Sequence, residues 1–194
     1  MHAYATDSRA QAYAYLTVLA VVIAVTMNAV VVSTGFSYGW LISSPSLGAA
    51  FIGLLKIFDI WAWRWKWLRK IGVTTTPAVD GIYEGTIRST YADTVVDVRL
   101  IIDQRWLRVL IRFEVMGATT STSRSSSAAI HEEGHHDARL TYTYSNQVRP
   151  GFAEGDMHDH DGAAEITITP EGEVSGRYFN ARGRQGVILL KRTE

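Results

Sequence analysis

The 194-residue chain has no cysteine, which excludes a disulfide framework and a thiolate metal centre and is compatible with the cytosol. It has no net charge either, with 19 basic and 19 acidic residues, but the balance is uneven. Residues 1–70 carry six Lys/Arg against two Asp/Glu, and residues 71–194 carry thirteen against seventeen. Lysine is almost missing from the second part, where every basic residue except Lys191 is Arg. Arginine suits planar, bidentate recognition of phosphate or carboxylate, although heavy Arg use also follows from a GC-rich genome. No G-x-S-x-G elbow or phosphate-cradling Gly loop occurs, and the carboxylates are too numerous to single out a glycosidase pair. The sequence therefore assigns no catalytic residue. At this length, one membrane segment leaves room for one small domain.

A long charge-free run is present. Tyr13–Val32 is uncharged and almost wholly apolar, about the 20 residues a helix needs to cross a hydrocarbon core. A second apolar segment, about 41–62, carries Ser43, Ser44, Pro45 and Ser46 near its start and is expected to begin properly only after Pro45. Lys56 and Asp59 near its end lie three apart on one helical face, as an interfacial ion pair or a polar contact between protomers. The flank beyond interleaves Trp61, Trp63, Trp65 and Trp67 with Arg64, Lys66, Arg69 and Lys70, whereas the linker Ser33–Trp40 is uncharged. Aromatic belts mark the headgroup region and Lys/Arg excess marks the cytoplasmic side. The expectation is a multi-pass, two-span hairpin over residues 1–70 with both termini cytoplasmic. Four cations abutting a span read as topology and anionic-lipid contact, not as an interface for DNA or RNA polymers.

After a linker at 71–76, the pattern switches to alternation with turn residues every ten or so positions. Eight strands are predicted: 81–89, 94–102, 106–115, 122–130, 138–144, 163–169, 173–180 and 185–192. Val96, Val98, Leu100 and Ile102 share one face and Asp97 and Arg99 the other. Leu107, Val109, Ile111 and Phe113 oppose Arg108, Arg112 and Glu114. With no helix to cover a sheet face, residues 77–194 are best satisfied as a closed antiparallel barrel holding packed side chains or one small ligand. The predicted fold is thus two N-terminal transmembrane helices followed by an eight-stranded antiparallel small β-barrel.

His131-Glu132-Glu133-Gly134-His135 spells H-E-x-x-H, but the zincin chemistry needs that motif on a helix, and here a Gly interrupts it between strand patterns. A polar hairpin loop is the reading. Met157-His158-Asp159-His160-Asp161 leaves a metal between the two loops conceivable, and no metal ligand is assigned.

Several phrases in order resemble one family. Pro77, Gly81, Tyr83 and Gly85 follow P-x-x-x-G-x-W-x-G with Tyr83 in place of Trp. Gln104 and Trp106 give Q-x-W, and Thr119–Ser127 gives a Thr/Ser-rich strand. Tyr142, Tyr144 and Asn146 give Y-x-Y-x-N, and His160 and Gly162 give H-x-G. Gly176, Tyr178, Phe179, Asn180, Arg182 and Gly186 complete G-x-Y-F-[TN]-x-R-x-x-x-G. Together they resemble the CD-NTase-associated effectors of CBASS antiphage defence that carry two transmembrane helices and a minimal β-barrel. The resemblance implies a non-enzymatic receptor without a resident cofactor. Its barrel binds a cyclic dinucleotide, or another cyclic oligonucleotide, made by a partner CD-NTase. Homo-oligomerisation then disrupts the inner membrane and kills the infected cell. Candidate ligand contacts at matching positions are Tyr83, Trp106, Tyr142, Tyr144, Tyr178, Asn180 and Arg182, with Arg88, Arg112 and Arg177 for phosphate. Alternation puts Tyr178 inside with Val174 and Gly176, and Arg177 outside. The competing reading is a membrane-tethered, lipocalin-like barrel for an apolar molecule.

Overall fold

A computed structural model describes residues 1–7, 9–35, 39–90, 94–116, 121–148 and 159–193, with backbone alone for 39–46 and 135. The chain divides into a helical unit, Ser8–Thr75, and a β unit comprising Met1–Asp7 and Thr76–Glu194.

In the helical unit, α1 (Ala10–Ser33) and α2 (Gly39–Ile60) pack on each other. At 1.5 Å per residue, the 24 residues of α1 extend about 36 Å. Its buried side chains, Ala12, Leu16, Ala20 and Ala24, recur every fourth position, so one narrow stripe of mostly small residues meets α2. Val18, Val22, Val25 and Val30 stay exposed. Thr17 and Thr26 donate their hydroxyls to the carbonyls of Tyr13 and Val22, each at 2.8 Å, so both hydroxyls are satisfied within the helix. Among the described residues only α1 is both long and apolar enough to cross a membrane. In α2 the Ser-Ser-Pro-Ser stretch, Lys56 and Asp59 dilute the apolar run, so the second expected span does not stand out as the first does. The helix also begins at Gly39 and runs across Pro45 instead of starting after it. A 3-10 turn (Ala62–Arg64) and a short α3 (Lys66–Lys70) follow. Trp63 is buried, whereas Trp61, Trp65 and Trp67 form an exposed cluster with ring centroids 5.2 and 5.9 Å apart.

Among the described residues the β unit contains ten strands. Two are short, β1 (His2–Ala3) and β2 (Ala5–Thr6). The others are β3 (Gly81–Ser89), β4 (Val95–Gln104), β5 (Arg108–Val115), β6 (Ser121–Glu132), β7 (Ala138–Val148), β8 (His160–Ile168), β9 (Glu173–Asn180) and β10 (Gln185–Arg192). Each of β3 to β10 pairs antiparallel with its sequence neighbour. The pairings β10–β3 and β5–β6 complete the circuit, so the eight predicted strands form a closed barrel. Three of them match their expected bounds, and the others differ mainly at their ends, where alternation gives no stop signal.

The predicted alternation holds. Val98, Leu100 and Ile102 of β4 and Val109 and Ile111 of β5 point inward, and with Tyr83, Leu140, Ile166 and Ile188 they form the packed core of the lumen. A β-bulge at Ser125–Ser127 inserts Ser126 as the extra residue of β6, and Ser126 and Ser127 both bond Thr143 Oγ1 on β7.

The domain boundaries differ from expectation at the N-terminus. The expected membrane hairpin takes in all of residues 1–70, whereas Met1–Asp7 belongs to the β unit. Strands β5 and β6 pair directly only over Arg112–Glu114 and Thr122–Arg124. Beyond that they part. His2 and Ala3 pair antiparallel with Val109 and Arg108 of β5, and Ala5 and Thr6 pair parallel with Ala129 and Ile130 of β6. The seven-residue leader was too short and too polar to carry an alternation signal of its own. Tyr4 between the two strands is buried and donates its hydroxyl to the Arg105 carbonyl at 3.2 Å.

Gln104 ties this closed end together. It is 2% exposed; Nε2 donates to Tyr4 Oη at 3.2 Å and to the Pro77 carbonyl at 3.0 Å, while Oε1 accepts from the Val79 amide at 2.8 Å. Replacing Gln104 with Leu strands those buried groups, at about 1–3 kcal/mol for an unsatisfied group. Equilibrium denaturation of Gln104→Leu should show a loss in that range or above; a neutral result would mean that water reaches this end.

Candidate ligand site in the barrel lumen

At the opposite end the lumen is open. There lies a cavity of about 260 Å³, bounded by the end of β3, the start of β4, the end of β5, the start of β6, the end of β7, the start of β8, the end of β9 and the start of β10. Its floor is aliphatic, from Ile87, Val98 and Ile188. Its walls carry Phe113, Tyr142, Tyr144 and Tyr178. Ser123, Asn146, His160, Asn180 and Arg184 stand higher, toward the rim. The gradient follows from the strands. Inward positions near the middle of each strand are apolar and complete the core, whereas those one or two steps further along are polar or aromatic.

Tyr142 and Tyr144 are two residues apart on β7 and so face the same way, with ring centroids 6.2 Å apart and tilted by 51°. Tyr178 donates its hydroxyl to Ser89 Oγ at 2.9 Å, which fixes its ring against the end of β3. Two glycines make room for these rings. A Cβ on Gly162 would sit 2.3 Å from Tyr144 Cζ, and one on Gly186 would sit 2.5 Å from Tyr178 Cε1. The glycines of the H-x-G phrase and of the closing phrase are therefore seats for cavity aromatics.

The polar rim is pre-oriented. Asn180 Oδ1 accepts the backbone amides of Arg182 and Arg184 at 3.1 and 3.0 Å, shaping the β9–β10 turn that brings Arg184 to the mouth. With the oxygen committed to two donors, the side-chain NH2 of Asn180 is the part left for the cavity. On the other side Ser123 Oγ donates to Asn146 Oδ1 at 2.9 Å, within the buried wall. Burial raises the pKa of Tyr142, with a smaller contribution from neighbouring Tyr144. Tyr144 is pushed up to about 12, mainly by burial and secondarily by Tyr178. Both phenols are neutral donors and acceptors across the physiological range.

Of the ten candidate contacts, the structure gathers Tyr142, Tyr144, Tyr178 and Asn180 around one cavity. The other six lie elsewhere. Tyr83 is fully buried at the closed end; its hydroxyl donates to the Val79 carbonyl at 2.9 Å, and burial raises its pKa. Trp106 is 1% exposed in the β4–β5 connection and plugs the same end. Arg88, Arg112 and Arg177 are carried on the outer wall by strand alternation. Arg112 pairs with Asp103 at 3.2 Å, and Arg177 pairs with Glu165 and stacks over Phe179 at 5.4 Å. Arg182, in the turn, does not line the cavity. Conversely Phe113, Ser123, Asn146, His160 and Arg184 line it without having been candidates. A signal existed for two of them, since His160 shares a face with Gly162, and Asn146 with Tyr144.

The H-E-x-x-H stretch is the end of β6 followed by a 3-10 turn at Gly134–His136, not a helix. His131 instead meets Asp7 at 3.2 Å, and His136 meets Glu132 at 2.6 Å. No cluster of three potential metal ligands occurs among the described residues; Met157 and His158 lie outside them.

A small closed barrel with one end packed and the other opening into an aromatic, polar-rimmed cavity is the architecture of a small-ligand receptor. A family model described as the Cap15 cyclic dinucleotide receptor domain matches residues 74–192, and the chain belongs to that family. No curated protein matches the chain.

The raised tyrosine pKa values set a pH dependence. Above the ordinary value of 10 an unfolded tyrosine has lost the proton that Tyr142 and Tyr144 still hold in the barrel. Stability should therefore be insensitive to these groups below pH 10 and fall above it, by roughly 1 kcal/mol per pH unit per tyrosine. Denaturant titrations at pH 9 and 11 should show a smaller fall in Tyr142→Phe than in the unaltered protein. Equal falls would show that Tyr142 ionises freely in the folded state.

Proposed function

We propose that this chain is a membrane-anchored effector of CBASS antiphage defence whose lumen senses a cyclic dinucleotide made by a partner CD-NTase. The carrying observation is the cavity that joins Phe113, Tyr142, Tyr144 and Tyr178 to a rim bearing Asn180 and Arg184. Bases offer flat faces to aromatic rings, at about 1–3 kcal/mol per stacked base, and an arginine at the mouth meets phosphate where it remains partly hydrated. An apolar carrier would need a wide greasy lumen; here the polar rim argues against one. The barrel contributes binding and no bond-breaking step, in keeping with the absence of a nucleophile motif.

In this reading α1 and α2 both span the bacterial inner membrane, with termini and barrel on the cytoplasmic side. Exposed Trp61, Trp65 and Trp67 sit at headgroup depth among Arg64, Lys66, Arg69 and Lys70. Ligand binding promotes homo-oligomerisation, and the assembled helices breach the bilayer. Asp59, half-buried on α2, and exposed Lys56 are then contacts between protomers.

Two measurements test this. Titration calorimetry of the full chain in nanodiscs against cyclic dinucleotides, with linear dinucleotide and fatty-acid controls, should show binding of a cyclic species. That affinity should fall about tenfold or more in Tyr178→Ala and Arg184→Ala, a loss of about 1.4 kcal/mol each, and remain unchanged in Arg177→Ala. Binding only of fatty acids would replace the receptor reading with the carrier. In cells, Lys56→Ala and Asp59→Ala should reduce killing while ligand affinity stays the same; undiminished killing would remove the protomer-contact role.

A further inference from the structure

The seam between β5 and β6 is a strand-acceptor site. Where the two strands part, the N-terminal segment pairs with both, two residues to each side, while the Ile111 amide reaches Ser125 Oγ across the start of the gap at 2.9 Å. The segment is recognised through side chains as well. Tyr4 inserts as a buried anchor, His2 Nε2 meets Ser125 Oγ at 2.7 Å, and Asp7 Oδ2 accepts the Glu132 amide at 3.2 Å while its other oxygen meets His131. These contacts define what the seam accepts: a short extended strand with an aromatic third from its leading residue and a carboxylate at its trailing end.

We propose that the occupant can be the Met1–Asp7 segment of a second copy of this chain, so that strand exchange links one receptor to the next. Three observations carry this. None of the contacts depends on covalent continuity with the barrel that accepts the strand, so a second copy offers an identical partner. The paired stretch is only four residues long, and α1 begins at Ala10, three residues past Asp7, so release breaks two short pairings and withdraws the Tyr4 anchor while the β5–β6 contact over Arg112–Glu114 and Thr122–Arg124 can stay in place. Each chain carries one strand and one seam. Donation from copy to copy therefore need not close on itself and can build an open chain, which confinement of the copies to a membrane plane favours by raising their effective concentration. The inference rests on the proposed function only in its oligomerisation step and is independent of which ligand the lumen takes.

Because the chain has no native cysteine, cross-links report the exchange cleanly. Ala5 and Ala129 are register partners across one side of the seam, and Ala3 and Arg108 across the other, at spacings that suit a disulfide. Full-length Ala5→Cys and Ala129→Cys chains with tags of different size are co-expressed, and membranes are oxidised with and without 3′,3′-cyclic di-AMP or cyclic di-GMP. We expect a mixed-tag dimer in at least one arm, several-fold above the background from Ala129→Cys chains alone. Ala3→Cys with Arg108→Cys provides the same reading from the other side. The Ala5→Cys/Ala129→Cys double variant in one chain serves as the control for geometry. Its cross-linking within single chains, with no mixed-tag dimer from either pair, would overturn the proposal. Calorimetry on the same preparations tests the receptor reading separately, so either conclusion can fail without the other.

Discussion

An antiparallel sheet of eight short strands has two edges, and each exposes a row of unpaired N–H and C=O groups; joining those edges is the constraint on which the rest of this β unit depends. The circuit closes through β10–β3 on one side and, on the other, through a β5–β6 contact only three residues long. Closure gives every strand an inside and an outside, and the two-residue period then sorts the side chains. Aliphatics go to a lumen that eight strands leave just wide enough to fill. Arginines and carboxylates go to the wall outside, where Arg99–Glu84, Arg112–Asp103 and Arg177–Glu165 pair in solvent and contribute little to stability.

The two ends of the same lumen differ because their fillings differ. At one end Trp106, Tyr83 and Gln104 complete a plug to which the N-terminal strand adds Tyr4. At the other, bare glycines in β8 and β10 let Tyr144 and Tyr178 lie flat against the wall instead of filling the centre. A side chain at Gly162 or Gly186 would push a ring inward and shrink the space. The cavity thus owes as much to two missing Cβ atoms as to the residues that line it.

Much of this was legible in the residues. Alternation identified all eight barrel strands, and the absence of any covering helix required their closure. Period-2 logic on β9 placed Tyr178 inside and Arg177 outside, as found. The same alternation on β5 sets Arg112 opposite Phe113, and the structure accordingly carries this phosphate candidate on the outer wall, paired with Asp103. What a linear pattern could not give was depth along the lumen. Tyr83 and Tyr142 are both inward-facing tyrosines, yet one belongs to the plug and the other to the cavity, and only register across the barrel separates them. Nor could it reveal the N-terminal strand, whose partners lie more than a hundred residues away in sequence.

That strand changes what counts as the receptor domain. The family match begins at residue 74, and a barrel drawn from there includes both walls of the seam but not the strand that fills it. The missing element lies directly before α1, on the other side of the helical unit in sequence. The chain therefore leaves the barrel, passes through its apolar helices and returns to the barrel, so that both ends of the helical unit are tethered to the β unit. Phe113 and Ser123 are register partners where the two strands still touch, and both line the cavity. The contact that closes the seam is thus also part of the cavity wall.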